Sequence, residues 1–517
     1  MSTAVKSLVI VGGGTAGWIV AGTVAAKLAT ERREGFSVTL VESPNVPIIG
    51  VGEGTWPTMR RTLRQMGVRE TDFIRECNVA FKQGAKFARW VTGAEDDYYY
   101  HPLVLPQAFS ETNLAPHWLA DGGGPSFSEA VCPQEAICEQ GLAPKQITTP
   151  EYQGIANYAY HLNAGTFSEF LKKHCVEHLG VRHVLADVTE VNMAENGDIE
   201  SVTTEQAGVI DGDLFVDCTG FRSLLLGAKY DVPFVSCKDV LFVDRALAVQ
   251  VPYEDEDSPV ASHTISTAQD AGWIWDIGLS TRRGVGHVYS SSHTSQERAM
   301  QQLEQYLGVG LGDNSELSVR EIPINPGHRA RFWERNCVAV GLSAGFLEPL
   351  EASAILLVEI SARMIAEQFP ANKEVMPIVA RRFNETFLYR WDRIIDFLKL
   401  HYVLSKRTDT SFWVDNRDPD SVPDSLAELL ELWRYHPPWH DDFDRAVEVF
   451  PAASYQYVLY GMGFETEASS LGMSDGIQTA ADECFRRNRM QTEKMLASLP
   501  ANRDLLNKIH EHGMQRV

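Results

Sequence analysis

Residues 7–18, Ser-Leu-Val-Ile-Val-Gly-Gly-Gly-Thr-Ala-Gly-Trp, leave this chain few options. The apolar run at 8–11 reads as a buried strand, and it breaks at once into Gly12, Gly14 and Gly17 with GxGxxG spacing. In such a strand-turn-helix unit the first glycine permits the sharp turn. The second lets backbone approach a pyrophosphate, and the third lets the helix pack on the strand. The helix N-terminus then presents N–H groups to an anion. Residues 19–28 carry Ala and Val at helical spacing, 31–35 form a charged turn, and 37–41 read as a second strand ending in Glu42. An acidic residue there suits a ribose 2′-hydroxyl and repels a 2′-phosphate. The unit therefore predicts an adenine dinucleotide, FAD or NAD, held by Gly12, Gly14, Thr15, Ala16, Gly17 and Glu42.

A length of 517 residues predicts two or three domains, or one large two-lobed unit. The net charge of −23 and the lack of any Lys/Arg-rich run argue against nucleic acid and anionic membrane surfaces. Eight cysteines are scattered with no CxxC pair and no zinc spacing, which predicts reduced thiols, a cytoplasmic protein and no metal site. The first strand begins too early to leave room for a signal peptide, and no apolar run approaches membrane-spanning length.

Past Glu42, residues 44–57 are dense in Gly and Pro and predict a cofactor-covering loop, with Gly50, Gly52 and Glu53 as contacts. Residues 58–66 read as a helix, and 78–91 as one strand carrying Lys82 and Lys86 on the same face. Residues 92–153 are aromatic, weakly periodic and too long for a connection, which predicts an inserted substrate-covering lobe containing His101. After a helix at 167–179, the segments 181–191, 200–204 and 213–217 are expected to form a second sheet, with Val188 as a further cofactor contact. Between 241 and 292 the pattern alternates as in an antiparallel sheet, interrupted by a solvated acidic loop at 254–257. Within that sheet Trp273 and Trp275 fall on one strand face, as a wall. The strand at 336–340, the turn at Gly341 and Leu342, and a helix from 355 predict a second return of small residues to the cofactor. From 373 onward the chain reads as mostly helical.

Taken together, Gly12 to Trp18, the Gly50-Val51-Gly52-Glu53-Gly54-Thr55 run, Phe81-Lys82 with Lys86-Phe87, Trp273-Ile274-Trp275 and Phe346-Leu347-Glu348-Pro349-Leu350-Glu351 resemble the flavin-dependent halogenases of the tryptophan-halogenase type. The resemblance runs to about residue 413 and weakens beyond. It implies an α/β fold: an FAD-binding Rossmann-like, p-hydroxybenzoate-hydroxylase-like module with mixed sheets over 1–372, and a mostly helical substrate-side region over 373–517. It also implies that reduced FAD, O2 and a bound halide, bromide or chloride, give hypohalous acid, which crosses an internal tunnel to the organic substrate. Lys82 matches the family's essential lysine and Glu351 its active-site glutamate, with Lys86 the lesser alternative to Lys82. An ammonium in a dry tunnel can hold hypohalous acid, and a carboxylate can polarise it or stabilise a cationic arene. His101, Trp273 and Trp275 line the substrate and tunnel side, and Ser353 and Ala354 the halide turn.

Two departures stand out. Ala352-Ser353-Ala354 replaces the family's usual Ser-Thr-Gly, which bears on halide preference and favours bromide, and Ile277-Gly278 replaces Ile-Pro. The segment 441–463 lacks the family's clamp for the amino acid, so an indole or other electron-rich arene is expected in place of free tryptophan. The rival readings are a flavin-dependent aromatic monooxygenase, against which Gly341-Leu342-Ser343 lacks the expected Gly-Asp turn, and an inactive FAD binder, supported by 352–354. The expected partners are a flavin reductase, a small aromatic substrate and a second copy in a homodimer.

Overall fold

A computed structural model of the chain describes residues 4–30, 35–46, 52–122, 124–311, 317–445, 447–467 and 475–516. The expected turn at 31–34 and cofactor contact Gly50 lie outside them. The chain forms two compact units that interleave along the sequence: 1–79 with 162–237 and 325–391, and 80–161 with 238–324 and 392–517. A linear cut at 372/373 does not describe this arrangement, because early and late segments share cores.

The first unit is built on a six-stranded sheet ordered Trp333–Glu334, Cys337–Ala339, Leu214–Asp217, Ser7–Val11 (β1), Ser37–Glu42 (β2) and Arg182–Leu185. All neighbours are parallel except the first pair. Leu8, Val9, Ile10 and Val11 are each no more than 4% exposed. Each such burial is worth about 1.5–3 kcal/mol, and an unbroken apolar run is what a strand covered on both faces requires. The helix α1, Thr15–Thr30, packs against the Ala164–Leu179 and Ser353–Glu367 helices. Its residues Trp18, Ile19, Val20, Ala21 and Val24 are fully buried, which is why its sequence lacks a polar stripe. The Ala164–Leu179 helix is capped at its start by the Asn163 side chain and at its end by Gly180 at φ 70°.

The expected second sheet at 181–217 is corrected. Arg182–Leu185 and Leu214–Asp217 join the β1 sheet, and only Val188–Met193, Ile199–Thr204 and Gly208–Asp211 form a separate three-stranded sheet. Local periodicity reports a strand's burial, but its partner is chosen by the chain reversals around it.

The second unit holds a seven-stranded sheet ordered Val319–Pro323, Arg245–Pro252, Arg282–Tyr289, Gly272–Gly278, Thr264–Gln269, Gly84–Ala88 and Tyr98–Pro102. The acidic loop at 254–257 is exposed, as read. Beyond its strand Tyr98–Pro102, the segment 92–153 carries short helices, and it shares a hydrophobic core with the C-terminal helices: Phe109, Phe127 and Val131 pack with Ala453, Tyr457 and Phe485.

The single strand expected at 78–91 is two, Ala80–Lys82 and Gly84–Ala88. Gln83, fully buried, breaks it by bonding the Ser262 carbonyl through its N–H at 2.7 Å and the Leu142 carbonyl through Nε2 at 2.7 Å. Alternation therefore cannot be counted across Lys82 and Lys86.

Candidate functional site

In the first unit the glycine turn bends sharply and lets the helix approach the strand closely. Gly12 sits at φ 116°, and its N–H bonds the Val41 carbonyl at 2.8 Å, tying the turn to β2. A Cβ on Gly17 would lie 2.0 Å from the Gly12 carbonyl oxygen, so the helix approaches the turn too closely for any side chain. A Cβ on Gly14, by contrast, would meet nothing within 4 Å. The open space thus lies at the N-terminus of α1, where a dinucleotide phosphate would approach backbone N–H groups. Thr15 begins the helix and bonds Ser168 Oγ at 2.9 Å.

Glu42 ends β2 with its carboxylate packed over Gly13 and bonded to His183 Nε2 at 2.8 Å. His183 lies on the neighbouring strand opposite Leu40. Sequence reading missed it, because only strand pairing brings it there. Gly341, at φ 73°, lies against Ala16: a Cβ on it would be 2.8 Å from the Ala16 Cβ. The second strand-turn, with Leu342 half-buried, therefore returns to the start of α1. Val188 is half-buried at the start of its strand. Gly52 is buried, and burial pushes the Glu53 carboxyl up to about 7. The surroundings fit a flavin adenine dinucleotide: an open helix N-terminus, a carboxylate held at the end of β2 and a second glycine turn beside the first.

Glu351 and Ala352 occupy consecutive left-handed backbone positions, φ 62° and 55°. Such conformations cost non-glycine residues of order 1–3 kcal/mol and persist only where the surroundings enforce them. Trp56 Nε1 donates to the Glu351 carbonyl at 2.9 Å. The turn delivers Ser353, buried, and Ala354 to the first turn of the Ser353–Glu367 helix.

In the second unit Lys82 is 4% exposed, so its ammonium lies inside the protein. Lys86 is committed elsewhere: its Nζ donates to Glu139 at 2.6 Å and sits 4.2 Å over the Tyr98 ring. Trp273 and Trp275 share one face of the Gly272–Gly278 strand with ring centroids 6.5 Å apart, both buried. The register explains the second: Trp275 faces Gly286 on the adjacent strand, and a Cβ there would strike its ring at 2.2 Å. His101 is buried, bonds Ser454 Oγ at 2.9 Å, and packs beside Phe397, Phe450 and Tyr457.

Residues 7–475 match the family described as tryptophan halogenase. A solved tryptophan halogenase from Shewanella frigidimarina is 48% identical, with each chain covered to 99% and a TM-score of 0.97. The chain belongs to the tryptophan halogenase family. Tryptophan 6-halogenase SttH of Streptomyces toxytricini is 33% identical, covering 96% of each chain. A solved tryptophan C-6 flavin-dependent halogenase (chlorinase) from taromycin biosynthesis is 33% identical at a TM-score of 0.89, covering 98% of this chain and 99% of its own. This halogenase is therefore a flavin-dependent oxidoreductase that uses reduced FAD from a separate reductase, O2 and halide to halogenate an arene. Its eight cysteines are free thiols, and among the described residues no helix is long and apolar enough to cross a membrane and no cluster would hold a metal.

Proposed function

We propose that Lys82 holds the hypohalous acid during transfer and that Glu351 polarises it or stabilises the cationic arene. Bound reduced FAD, with O2, supplies the oxidising equivalents that convert halide to hypohalous acid. Gly12, Gly14, Thr15, Ala16, Gly17, Gly341 and Leu342 hold the cofactor at the α1 end of the sheet, and Glu42, held by His183, takes the ribose. Ser353 and Ala354 carry the halide. The Trp273/Trp275 wall keeps substrate off the flavin. One observation carries the reading: the motif lysine is 4% exposed, where a solvated strand lysine would be open to water. In a dry site an ammonium interacts with a polarised O–X group far more strongly than in water.

The substrate we favour is indole or another electron-rich arene, not free tryptophan. Asp442, an acidic candidate in the 441–463 segment for an amino-acid ammonium, is engaged by Trp433 Nε1 and the Trp439 N–H, each at 2.9 Å. With its halide turn altered at 352–354, the enzyme should prefer bromide, the more readily oxidised halide. We place it in the cytoplasm, acting with a diffusing or transiently docked reductase, as a homodimer.

The test is incubation with FAD, a flavin reductase, NADH, bromide or chloride, and either indole or tryptophan, read by mass spectrometry. Brominated indole exceeding halogenated tryptophan is the expected result. Lys82→Ala should lose at least about a hundredfold in halogenation while binding FAD normally. A Lys82→Ala enzyme at the normal rate would refute the assignment.

A further inference from the structure

The strand that carries Lys82 brings a second titratable group beside it. In the antiparallel pairing Ala80 faces His161 and Lys82 faces Ala159. Side chains two apart share a strand face, so Lys82 and His161 are diagonal neighbours on one face, a spacing of about 7–8 Å that long side chains span. The residues directly opposite both are alanines, which leaves the space between them unfilled by bulk. His161 is fully buried. Its Nε2 engages Thr264 Oγ1 at 2.8 Å, and the Gly278 backbone carbonyl also accepts from the ring.

The residue before Thr264 is a second buried histidine, close enough for its charge to act on His161. His263 is 6% exposed, its Nδ1 has no partner among the described residues, and its Nε2 lies 3.4 Å from the Tyr100 hydroxyl. Tyr100 donates to Glu139, which also accepts from Lys86 at 2.6 Å. The Lys86 and Glu139 side chains are 21% and 35% exposed, so the bonded series from Lys86 to His263 begins near solvent, and the His263 charge acts in turn on His161.

Charge states along it are set by the surroundings. Burial, then the Lys82 and His263 charges, pushes His161 well below its ordinary value against a Gly278 backbone hydrogen bond. Burial brings His263 down to about 4, with Glu139 opposing and Lys86 adding to the fall. Burial opposes ionisation of Glu139, but the Lys86 and Tyr100 hydrogen bonds prevail and hold its carboxyl low. The nearby Cys138 thiol is held protonated by burial. Both imidazoles are neutral at pH 7, each able to accept one proton and donate another.

We propose that His161 is a positioning residue that sets the proton state of Lys82, and that His263, Tyr100 and Glu139 connect the pair to solvent. The inference rests on the reading of Lys82 given above. In the step concerned, the arene carbon attacks the halogen, a C–X bond forms and the O–X bond breaks. The Lys82 ammonium gives the departing hydroxide its proton, and water forms. The ring then loses its C–H proton to the surrounding medium, and an equal proton enters along the series and through His161 to restore the ammonium. The sum is arene plus HOX giving aryl halide plus water.

The experiment uses full-length enzyme with FAD, flavin reductase, NADH, bromide and indole, comparing His161→Asn, His161→Gln and Lys82→Ala with wild type. Both His161 variants should retain FAD affinity, lose about tenfold or more in kcat at pH 7–8, and recover in part at lower pH, so that the alkaline limb of the kcat profile moves to lower pH. A packing defect alone would not move that limb. Wild-type kcat and pH profile in the His161 variants, with Lys82→Ala inactive, would overturn this inference and leave the Lys82 reading standing. An active Lys82→Ala enzyme would overturn the reading beneath it. Should both His161 variants fail to fold, His263→Asn and Tyr100→Phe measured in the same way decide the matter, since an unmoved alkaline limb in both overturns the proposal.

Discussion

Glu359 is a buried carboxylate whose removal should stabilise the enzyme in alkali and leave it nearly unchanged in acid. It lies 4% exposed on the Ser353–Glu367 helix and accepts from Thr58 Oγ1 at 3.1 Å and Thr62 Oγ1 at 2.5 Å. The two threonines stand four apart and so share a face of the Thr58–Gln65 helix. Burial pushes its carboxyl from 4.5 up to about 7, against the hydroxyls of Thr62 and Thr58 and the charges of Arg61 and Arg363. A carboxyl raised in the folded state binds more protons there than in the unfolded chain at every pH between these values. Stability is thus fully present below 4.5 and falls as pH rises to about 7, then stays level.

At about 1.4 kcal/mol per pH unit the full loss is ~3 kcal/mol. Glu359→Gln keeps an acceptor for the threonines, removes the titration, and gives up the attraction of the two arginines. We expect a net gain of about 2 kcal/mol at pH 8 over pH 5, or roughly 2 °C in melting temperature. Calorimetry of cofactor-free wild type and variant at pH 5, 6, 7 and 8 measures it. A melting-temperature difference that is flat across that range, or that favours wild type in alkali, refutes the reasoning.

Gly17→Ala places a methyl 2.0 Å from the Gly12 carbonyl and must displace the turn, so FAD affinity should fall more than about tenfold by fluorescence titration; unaltered affinity would contradict the close approach. Asn336 is 1% exposed and bonds the Ile199 carbonyl at 2.8 Å, the Asp213 carbonyl at 3.2 Å, the Ile199 N–H at 2.9 Å and the Tyr230 hydroxyl at 3.1 Å. Asn336→Ala leaves several of these groups unsatisfied and should cost about 2–4 kcal/mol in urea denaturation, with a loss under about 0.5 kcal/mol counting against it.

The readings that held involve residues close together in the chain. The βαβ unit needs only 7–42, where apolar run, glycine spacing and terminal acid occur in one stretch, and the structure places each as read. Trp273 and Trp275 share a face because strand periodicity is two, whatever surrounds the strand. The strand at 78–91 failed for a reason no local pattern carries: Gln83 donates to the Ser262 and Leu142 carbonyls, far off in sequence, and breaks the alternation.

By itself, then, the sequence determined the βαβ unit and the family, since those are matters of residue type at short fixed spacing. Tertiary structure alone decided that Leu214–Asp217 sits beside β1, that Lys86 is held by Glu139 while Lys82 is buried, and that His161 is the diagonal strand neighbour of Lys82. Burial and ion pairing depend on which distant segments meet. Those meetings are settled by the summed packing of the whole chain, which no window of sequence contains.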